Sequence, residues 1–257
     1  MTWVLLRGLT REARHWGELP CQLAQALQAP VITLDLPGNG RLNATPSPLS
    51  VAGMTRHARQ QLQALGVRTP CRLLGMSLGG MVATDWALRH PQEIDRLVLV
   101  NSSMRPFSHP AERLRPRNWA TLAWLAWRWR DAAFVEAAIH RMTCARAGQR
   151  QEDLAAWRHI RHTAPVSVAS VLRQLAAAAV FSAGPQPPQC PALLLSGAGD
   201  QLVNPVCSER LALAWRAGHR QHPWAGHDLP HDDGAWLAAQ IAQWLEGTAA
   251  PQALSAS

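Results

Sequence analysis

Gly75-Met76-Ser77-Leu78-Gly79 is the stretch that decides the fold of this chain. It lies between an apolar run at residues 71–74 and an apolar segment of helical character at 80–88. A strand, a serine and a helix in this order form the setting of a nucleophile elbow, a tight turn that holds the serine hydroxyl clear of the backbone. Glycines flank such a turn because a side chain there would collide with the neighbouring strand or helix. The motif therefore predicts that Ser77 is a nucleophile.

Apolar runs of strand length alternate with helical segments along most of the 257 residues. Strands are predicted near 2–6, 31–35, 71–75, 96–100, 191–196 and 218–223. Helices are predicted near 16–28, 54–65, 78–89, 207–216 and 233–246. This alternation is typical of an α/β domain built on a parallel sheet. We therefore expect a shortened, mainly parallel sheet of about six strands.

The segment 104–183 interrupts this alternation between the fourth and fifth predicted strands. It is rich in arginine and tryptophan, shows helical patterning without strand signals, and ends in a proline-rich hinge at 184–188. Open α/β sheets bind their ligands at the carboxyl ends of the strands. We therefore expect an α/β core at 1–103 and 184–247, a helical cap inserted at 104–183 over that edge, and a frayed tail at 248–257.

Two further residues follow predicted strands in the chain order that serine-based acyl transfer uses on such a fold. Asp200 comes directly after the fifth strand, and His227 follows the sixth strand with a glycine before it. A histidine can take the proton of the serine hydroxyl, and an acid can orient that histidine. Loop capping is the commoner role for an aspartate such as Asp200. His219, His222 and His231 are nearby rivals of His227.

A developing oxyanion needs two preorganised N–H donors. The backbone N–H of Leu78 is one candidate, because it follows the nucleophile at a helix N-terminus, where the helix dipole favours negative charge. The turn after the first strand, at residues 6–10, is the expected source of the second donor. We assign this second donor to Leu9.

Together these residues resemble the α/β-hydrolase superfamily. The resemblance spans nearly the whole chain and rests on Arg7-Gly8-Leu9, Asp35-Leu36-Pro37-Gly38-Asn39-Gly40, the serine motif, Gly199-Asp200 and Gly226-His227. It implies the α/β-hydrolase fold, no cofactor, and the roles Ser77 nucleophile, Asp200 orienter, His227 base, with Leu9 and Leu78 as oxyanion donors. Two features depart from the family. Arg7-Gly8 stands where His-Gly is usual, and the antiparallel strands that usually precede the first parallel strand are missing.

The size, the Gly-x-Ser-Leu-Gly-Gly motif and the spacing of the three residues resemble the pimeloyl-carrier-protein methyl esterases, in which cap arginines hold an acidic carrier protein. The segment 104–183 contains 12 arginines against five acidic residues, which accounts for nearly the whole formal charge of +8. The resemblance implies an anionic or carrier-bound acyl substrate and an acidic protein partner at the cap. The alternative is that these arginines are simply the solvated faces of the cap helices.

The composition excludes several classes of function. The chain has no lysine and no tyrosine, so Schiff-base chemistry, Ser–Lys dyads and P-loops are excluded. Five scattered cysteines without C-x-x-C spacing indicate reduced thiols and favour the cytoplasm. The first apolar stretch is too short for a signal peptide, and no window approaches the ~20 apolar residues of a membrane span. No binding motif accompanies the positive charge, so we expect no nucleic-acid partner.

A metal site built from His219, His222, His227 and His231 is disfavoured, because the spacings H-x-H-x-D-H and H-E-x-x-H are absent. We therefore predict no metal and a cytoplasmic serine hydrolase that cleaves an ester or thioester through an acyl-enzyme. Two alternatives remain open: a carbon–carbon bond hydrolase with the same three residues, and a non-catalytic binding protein that docks an acidic partner. We expect the cap tryptophans to pack the cap against the sheet, with one or two of them as alternatives for lining an apolar acyl pocket; they are Trp119, Trp124, Trp127, Trp129 and Trp157.

Overall fold

A six-stranded, wholly parallel sheet runs through the part of the chain that the computed structural model describes, residues 1–146 and 148–249. Its strands are β1 (Trp3–Leu6), β2 (Val31–Leu34), β3 (Cys71–Met76), β4 (Ile94–Val100), β5 (Ala192–Gly197) and β6 (Gly218–His222). They lie in the order β2-β1-β3-β4-β5-β6. The predicted α/β fold with a shortened sheet is confirmed, and each strand boundary lies within two residues of its predicted position.

Helices cover both faces of the sheet. The core helices are α1 (Leu19–Leu27), α2 (Val51–Ala64), α3 (Leu78–Arg89), α9 (Val206–Trp215), α10 (Leu229–Asp232) and α11 (Gly234–Ala249). The helices between β4 and β5 are α4 (Pro110–Arg113), α5 (Trp119–Trp127), α6 (Ala132–Thr143), α7 (Arg150–Thr163) and α8 (Val168–Val180). Helix α11 includes the start of the predicted tail, and residues 250–257 lie outside the described part of the chain.

The inner strands are largely apolar because helices cover both faces of the sheet, whereas the edge strand β6 is polar and partly exposed. Side chains alternate across a strand, so Trp3 and Leu5 of β1 join the cluster formed with α1 and α11. Val4 and Leu6 point the other way and join the cluster formed with α2, α3 and α9. All four residues of β1 are fully buried. The carboxyl end of β1 is therefore held rigidly beside the carboxyl end of β3.

The helices α4 to α8 fall inside the segment predicted as a cap and have a small apolar cluster of their own, which includes Leu125, Trp129, Val135 and Val171. A polar contact joins this segment to the core. The Gln174 side chain of α8 is fully buried and accepts the Thr10 N–H at 2.9 Å. Its amide also donates to Asn39 Oδ1 at 2.9 Å.

The expectation that all five cap tryptophans pack against the sheet is wrong for at least three of them. Trp119, Trp124 and Trp127 are 52%, 51% and 81% exposed, whereas Trp129 and Trp157 are buried. Helix α5 is apolar on every side, but only one of its residues, a leucine, is buried. Its periodicity could therefore not reveal which face meets the protein.

No single helix within 1–146 and 148–249 is both long and apolar enough to cross a membrane. The pair α7 and α8 meets the criteria of length and composition only when the two are taken together, and the pair is bent by 107°.

We expect Gln174→Ala to lower the free energy of unfolding by about 1–3 kcal/mol, because it leaves the buried Thr10 N–H without its acceptor. The exposed Gln151→Ala on α7 is the matched control and should change it by less than about 0.5 kcal/mol. Urea titration of both variants measures the difference. Equal effects of the two substitutions would contradict this role of Gln174.

Candidate active site

Ser77 occupies a sharp turn between β3 and α3. Its backbone has φ of 53° and ψ of −117°, a conformation that L-residues rarely adopt. The Ser77 N–H donates to the Val100 carbonyl at the end of β4, at 3.0 Å. Strain of this kind persists only where the surroundings enforce it, and it is concentrated at functional sites.

The glycines around Ser77 are enforced by close backbone contacts. A Cβ on Gly75 would lie 2.5 Å from the carbonyl oxygen of Gly79. A Cβ on Gly79 would overlap the Leu6 carbonyl of β1, and one on Gly80 would overlap the hydroxyl of Ser102. These positions are therefore glycine because α3 packs closely against β1, β3 and the end of β4.

His227 and Asp200 meet at the carboxyl ends of β6 and β5. His227 Nδ1 lies 2.7 Å from Asp200 Oδ2, and both residues are buried. The other oxygen, Oδ1, accepts the N–H groups of Leu202 and Val203 at 2.8 and 2.9 Å. A carboxylate bonded in this way can only accept, so the ring proton sits on Nδ1. This leaves Nε2 of His227 as the basic nitrogen.

His227 and Ser77 line one cavity between the core and the cap segment. No hydrogen bond joins Ser77 Oγ to His227 in the described part of the protein, which is common at such sites before substrate binds. The rival histidines are bound elsewhere: His219 to Ser196, His222 to Asp233 and His231 to Asp153.

The turn after β1 comes very close to Ser77. A Cβ on Gly8 would lie 3.2 Å from Ser77 Cβ and 3.7 Å from its Oγ. Two residues after Gly8, the Thr10 N–H donates to the side chain of Gln174 on α8. Leu9 lies between these two anchors and lines the cavity.

Leu78 is the first residue of α3 and follows the nucleophile directly. Neither its N–H nor that of Leu9 donates a hydrogen bond among the described residues. Two free N–H groups beside Ser77 are what an oxyanion requires. The arrangement agrees with the predicted donors, and their catalytic role stays a prediction.

Arg7 explains one departure from the usual family pattern. Its guanidinium makes a buried, two-pronged ion pair with Asp228, with Nη1–Oδ1 at 3.0 Å and Nη2–Oδ2 at 2.6 Å. It also lies 4.8 Å from the centre of the Trp16 ring. The pair joins the residue before Gly8 to the residue after His227. Sequence reasoning missed Asp228, although an arginine in an unusual position and an acid beside the base were both visible.

The electrostatics of this pair follow from its burial. Burial alone raises the pKa of the Asp228 carboxyl, but the charge and hydrogen bonds of Arg7 outweigh that effect and hold the pKa below its usual range. Asp228 therefore stays ionised and balances Arg7 beside the cavity. The pair adds no net charge next to His227.

Two further residues that sequence reasoning missed hold the His227 loop in place. Asn101, at the end of β4 with φ of 44°, donates to the carbonyls of Gly226 and His227 at 3.0 and 2.7 Å. Asp232 on α10 accepts the Gly226 N–H at 2.7 Å and the N–H of Ala145 in the segment between β4 and β5. The loop is thereby fixed from the sheet and from that segment.

The cavity is predominantly apolar. Thirteen of its 21 lining residues are apolar. Among them are Leu122, Leu125, Trp129, Ile139, Val171 and Leu175 of the segment between β4 and β5. Ser77, His227 and the Arg7–Asp228 pair supply part of its polar portion. An apolar group of a bound molecule would lie against these side chains.

Residues 4–232 match the family described as the alpha/beta hydrolase fold. The chain belongs to this α/β-hydrolase family. A protein of Klebsiella pneumoniae (strain 342) that carries the name carbamate hydrolase RutD is 30% identical over 230 residues, which cover 87% of this chain and 83% of that protein. A pimeloyl-[acyl-carrier protein] methyl ester esterase of Edwardsiella ictaluri (strain 93-146) is 38% identical over 100 residues, or 39% of this chain and 36% of that esterase.

Solved structures of other α/β-hydrolases share the fold. A thermophilic esterase from Thermogutta terrifontis superposes with a TM-score of 0.77 at 22% identity, covering 96% of this chain and 90% of that one. The enol-lactonase from Burkholderia xenovorans LB400 gives a TM-score of 0.75 at 21% identity, covering 95% and 91%. At such identities the likeness concerns the fold alone.

We expect Asp228→Ala to lower the free energy of unfolding by about 3–5 kcal/mol, because it leaves the Arg7 guanidinium buried without a counter-charge. The double variant Arg7→Met/Asp228→Leu removes both charges and should lower the free energy of unfolding by clearly less than Asp228→Ala does. Urea titrations of both variants at neutral pH provide the comparison. A double variant as unstable as Asp228→Ala would contradict this view of the pair.

The same pair predicts a pH dependence. Because the folded-state pKa of Asp228 is depressed, its stabilisation is fully present above the unfolded-state pKa of about 3.9 and is lost as the pH falls through the folded pKa. The unfolding free energy of the wild type should decline across that acid window, with a shallower slope in the double variant. Identical slopes would contradict the assignment.

Proposed function

We propose that this protein is a serine hydrolase that cleaves a carboxylic ester or thioester through an acyl-enzyme. The contact that carries the proposal is the buried 2.7 Å hydrogen bond between His227 Nδ1 and Asp200 Oδ2. It leaves Nε2 as the base in the cavity that also contains Ser77. An intact histidine–aspartate pair in that position also weighs against a purely binding function.

The reaction would begin when Ser77 Oγ attacks the carbonyl carbon and His227 Nε2 takes the hydroxyl proton. Asp200 stabilises the resulting imidazolium without taking the proton. The N–H groups of Leu9 and Leu78 bind the oxyanion, and each such donor is worth about 10²–10³ in kcat. His227 then protonates the leaving alcohol or thiol. Water activated by His227 releases the acyl group from Ser77.

The acyl group that suits this cavity is apolar. Thirteen apolar lining residues favour an aliphatic or aromatic acyl chain of several carbons over a small polar one. The name of the Klebsiella relative raises a carbamate as a second candidate, since the same residues can attack a carbamate carbonyl. A carbamate without a large apolar substituent would leave most of the cavity wall without a partner, so we favour the ester.

The cap arginines support an anionic acyl donor, such as an ester attached to an acidic carrier protein. Eight of the twelve are exposed to solvent: Arg105, Arg117, Arg130, Arg141, Arg146, Arg150, Arg158 and Arg173. Others serve the fold, as Arg161 does by binding the buried Glu136. Exposed charge of one sign steers an oppositely charged partner and is screened by salt. Esters on an acidic carrier should therefore lose more rate with added salt than neutral esters.

We expect Ser77→Ala to lower kcat for p-nitrophenyl octanoate by at least about 10³-fold, since the nucleophile is removed. Circular dichroism should show an unchanged fold. The exposed Ser182→Ala is the matched control and should keep wild-type activity. Residual activity of Ser77→Ala near that of the wild type would refute the serine mechanism.

Substrate length provides a separate test. We expect kcat/KM to rise from acetyl to octanoyl p-nitrophenyl esters, and Val171→Phe to reduce it about 10-fold or more for octanoyl but little for acetyl, because the larger ring occupies the cavity. Leu213→Phe on α9, at a side chain 73% exposed, is the control and should leave the profile unchanged. A uniform loss at all chain lengths would exclude the apolar cavity as the acyl site.

A further inference from the structure

A cluster of metal-binding side chains lies outside the catalytic residues. Asp153 Oδ2 forms a hydrogen bond with His140 Nε2 at 3.0 Å and lies 2.9 Å from His231 Nε2. The donor atoms of His140, Cys144 and His231 all lie within 4.8 Å of one another. The proposed ester cleavage uses none of these four side chains.

The four residues come from both sides of the cap–core junction. Helix α6 provides His140, its C-terminal flank provides Cys144, and α7 provides Asp153. His231 lies on α10, which follows the His227 loop. The Trp157 ring lies 5.3 Å from the rings of both His140 and His231 and shields the cluster. A bound ion would therefore connect the cap to the loop that holds the base.

The donor set is typical of zinc, which takes imidazole nitrogen, thiolate sulfur and carboxylate oxygen in a tetrahedron. With Zn–N and Zn–O distances near 2.0–2.2 Å, neighbouring ligand atoms of such a site are about 3.3 Å apart. The two His–Asp distances of 2.9 and 3.0 Å are close to that value. Asp153 is not among the three residues whose donor atoms already lie within 4.8 Å of one another, so Asp153 and Cys144 would have to approach each other around the ion. A set with nitrogen and sulfur donors does not suit Mg²⁺ or Ca²⁺.

We propose that His140, Cys144, Asp153 and His231 bind one zinc ion that clamps the cap to the core. The charges balance, because the Asp153 carboxylate and the Cys144 thiolate together neutralise Zn²⁺. Each imidazole binds through Nε2, so a proton that Nε2 presents to Asp153 before binding moves to Nδ1, while the thiol proton is released to solvent. Because binding releases the thiol proton, zinc affinity should increase with pH.

The test is zinc binding by the full chain after dialysis against a chelator, measured by calorimetry and by metal analysis. The Cys21→Ser background removes an exposed thiol that could bind zinc on its own. We expect one zinc per chain, and an increase in Tm of roughly 5–10 °C at a hundredfold excess over Kd. Magnesium should produce neither effect.

Two variants separate metal binding from hydrogen bonding. In His140→Gln and His231→Gln the side-chain amide can still donate to Asp153, but the imidazole ligand is gone, and each should weaken zinc binding at least about 100-fold. The exposed His162→Gln on α7 should bind like the parent. Zinc binding that is absent from the parent, or equal in the parent and the double glutamine variant, would overturn the site.

Cobalt provides a readout that does not depend on how the variants fold. Co²⁺ bound to the parent should show a thiolate charge-transfer band in the near ultraviolet, and Cys144→Ser should lose it. Absence of the band in the folded parent would remove Cys144 from the site and contradict the four-ligand proposal. All of these readouts are independent of ester hydrolysis, so failure of the metal site and failure of the proposed function can be told apart.

Discussion

The close approach of four backbone segments around Ser77 is the constraint on which the rest of the structure depends. Gly75 and Gly79 leave no room for a Cβ between β3, α3 and β1, and Gly8 brings the turn after β1 within van der Waals distance of Ser77. Because of this crowding, the serine hydroxyl and two free N–H groups occupy one small volume. The unfavourable φ of Ser77 is stabilised by the burial of β1 and β3, whose side chains are packed on both faces of the sheet.

A second constraint is electrostatic and lies in the Arg7–Asp228 ion pair. Arg7 and Asp228 are both buried, and their two-pronged contact offsets the cost of removing two charges from water. The pair lies next to Gly8 on one side and His227 on the other, so the turn after β1 and the His227 loop share one anchor. Asn101 and Asp232 hold the same loop through its backbone. These polar contacts therefore fix the positions of His227 and of the turn after β1.

Most of the strands and the three candidate site residues could be predicted from the sequence because short local patterns mark them. Runs of strand length between helical segments predicted all six strands, although the edge strand β6 is polar. The glycine-flanked Ser77 and the turns before Asp200 and His227 predicted residues that the fold brings to one edge of the sheet. Asp228 and Asn101 could not be found in this way, since their partners lie 221 and 126 residues away in sequence. The exposure of Trp127 was also beyond prediction, because an all-apolar helix has no periodicity that marks its buried face.

The central claim is that Ser77 becomes acylated during turnover. The most direct measurement is intact-protein mass spectrometry of enzyme that is acid-quenched while it hydrolyses p-nitrophenyl octanoate, followed by peptide mapping. We predict one octanoyl group per chain, located on the peptide that contains Ser77. Continued turnover with no covalent adduct, or with the adduct on another residue, would contradict the proposed mechanism.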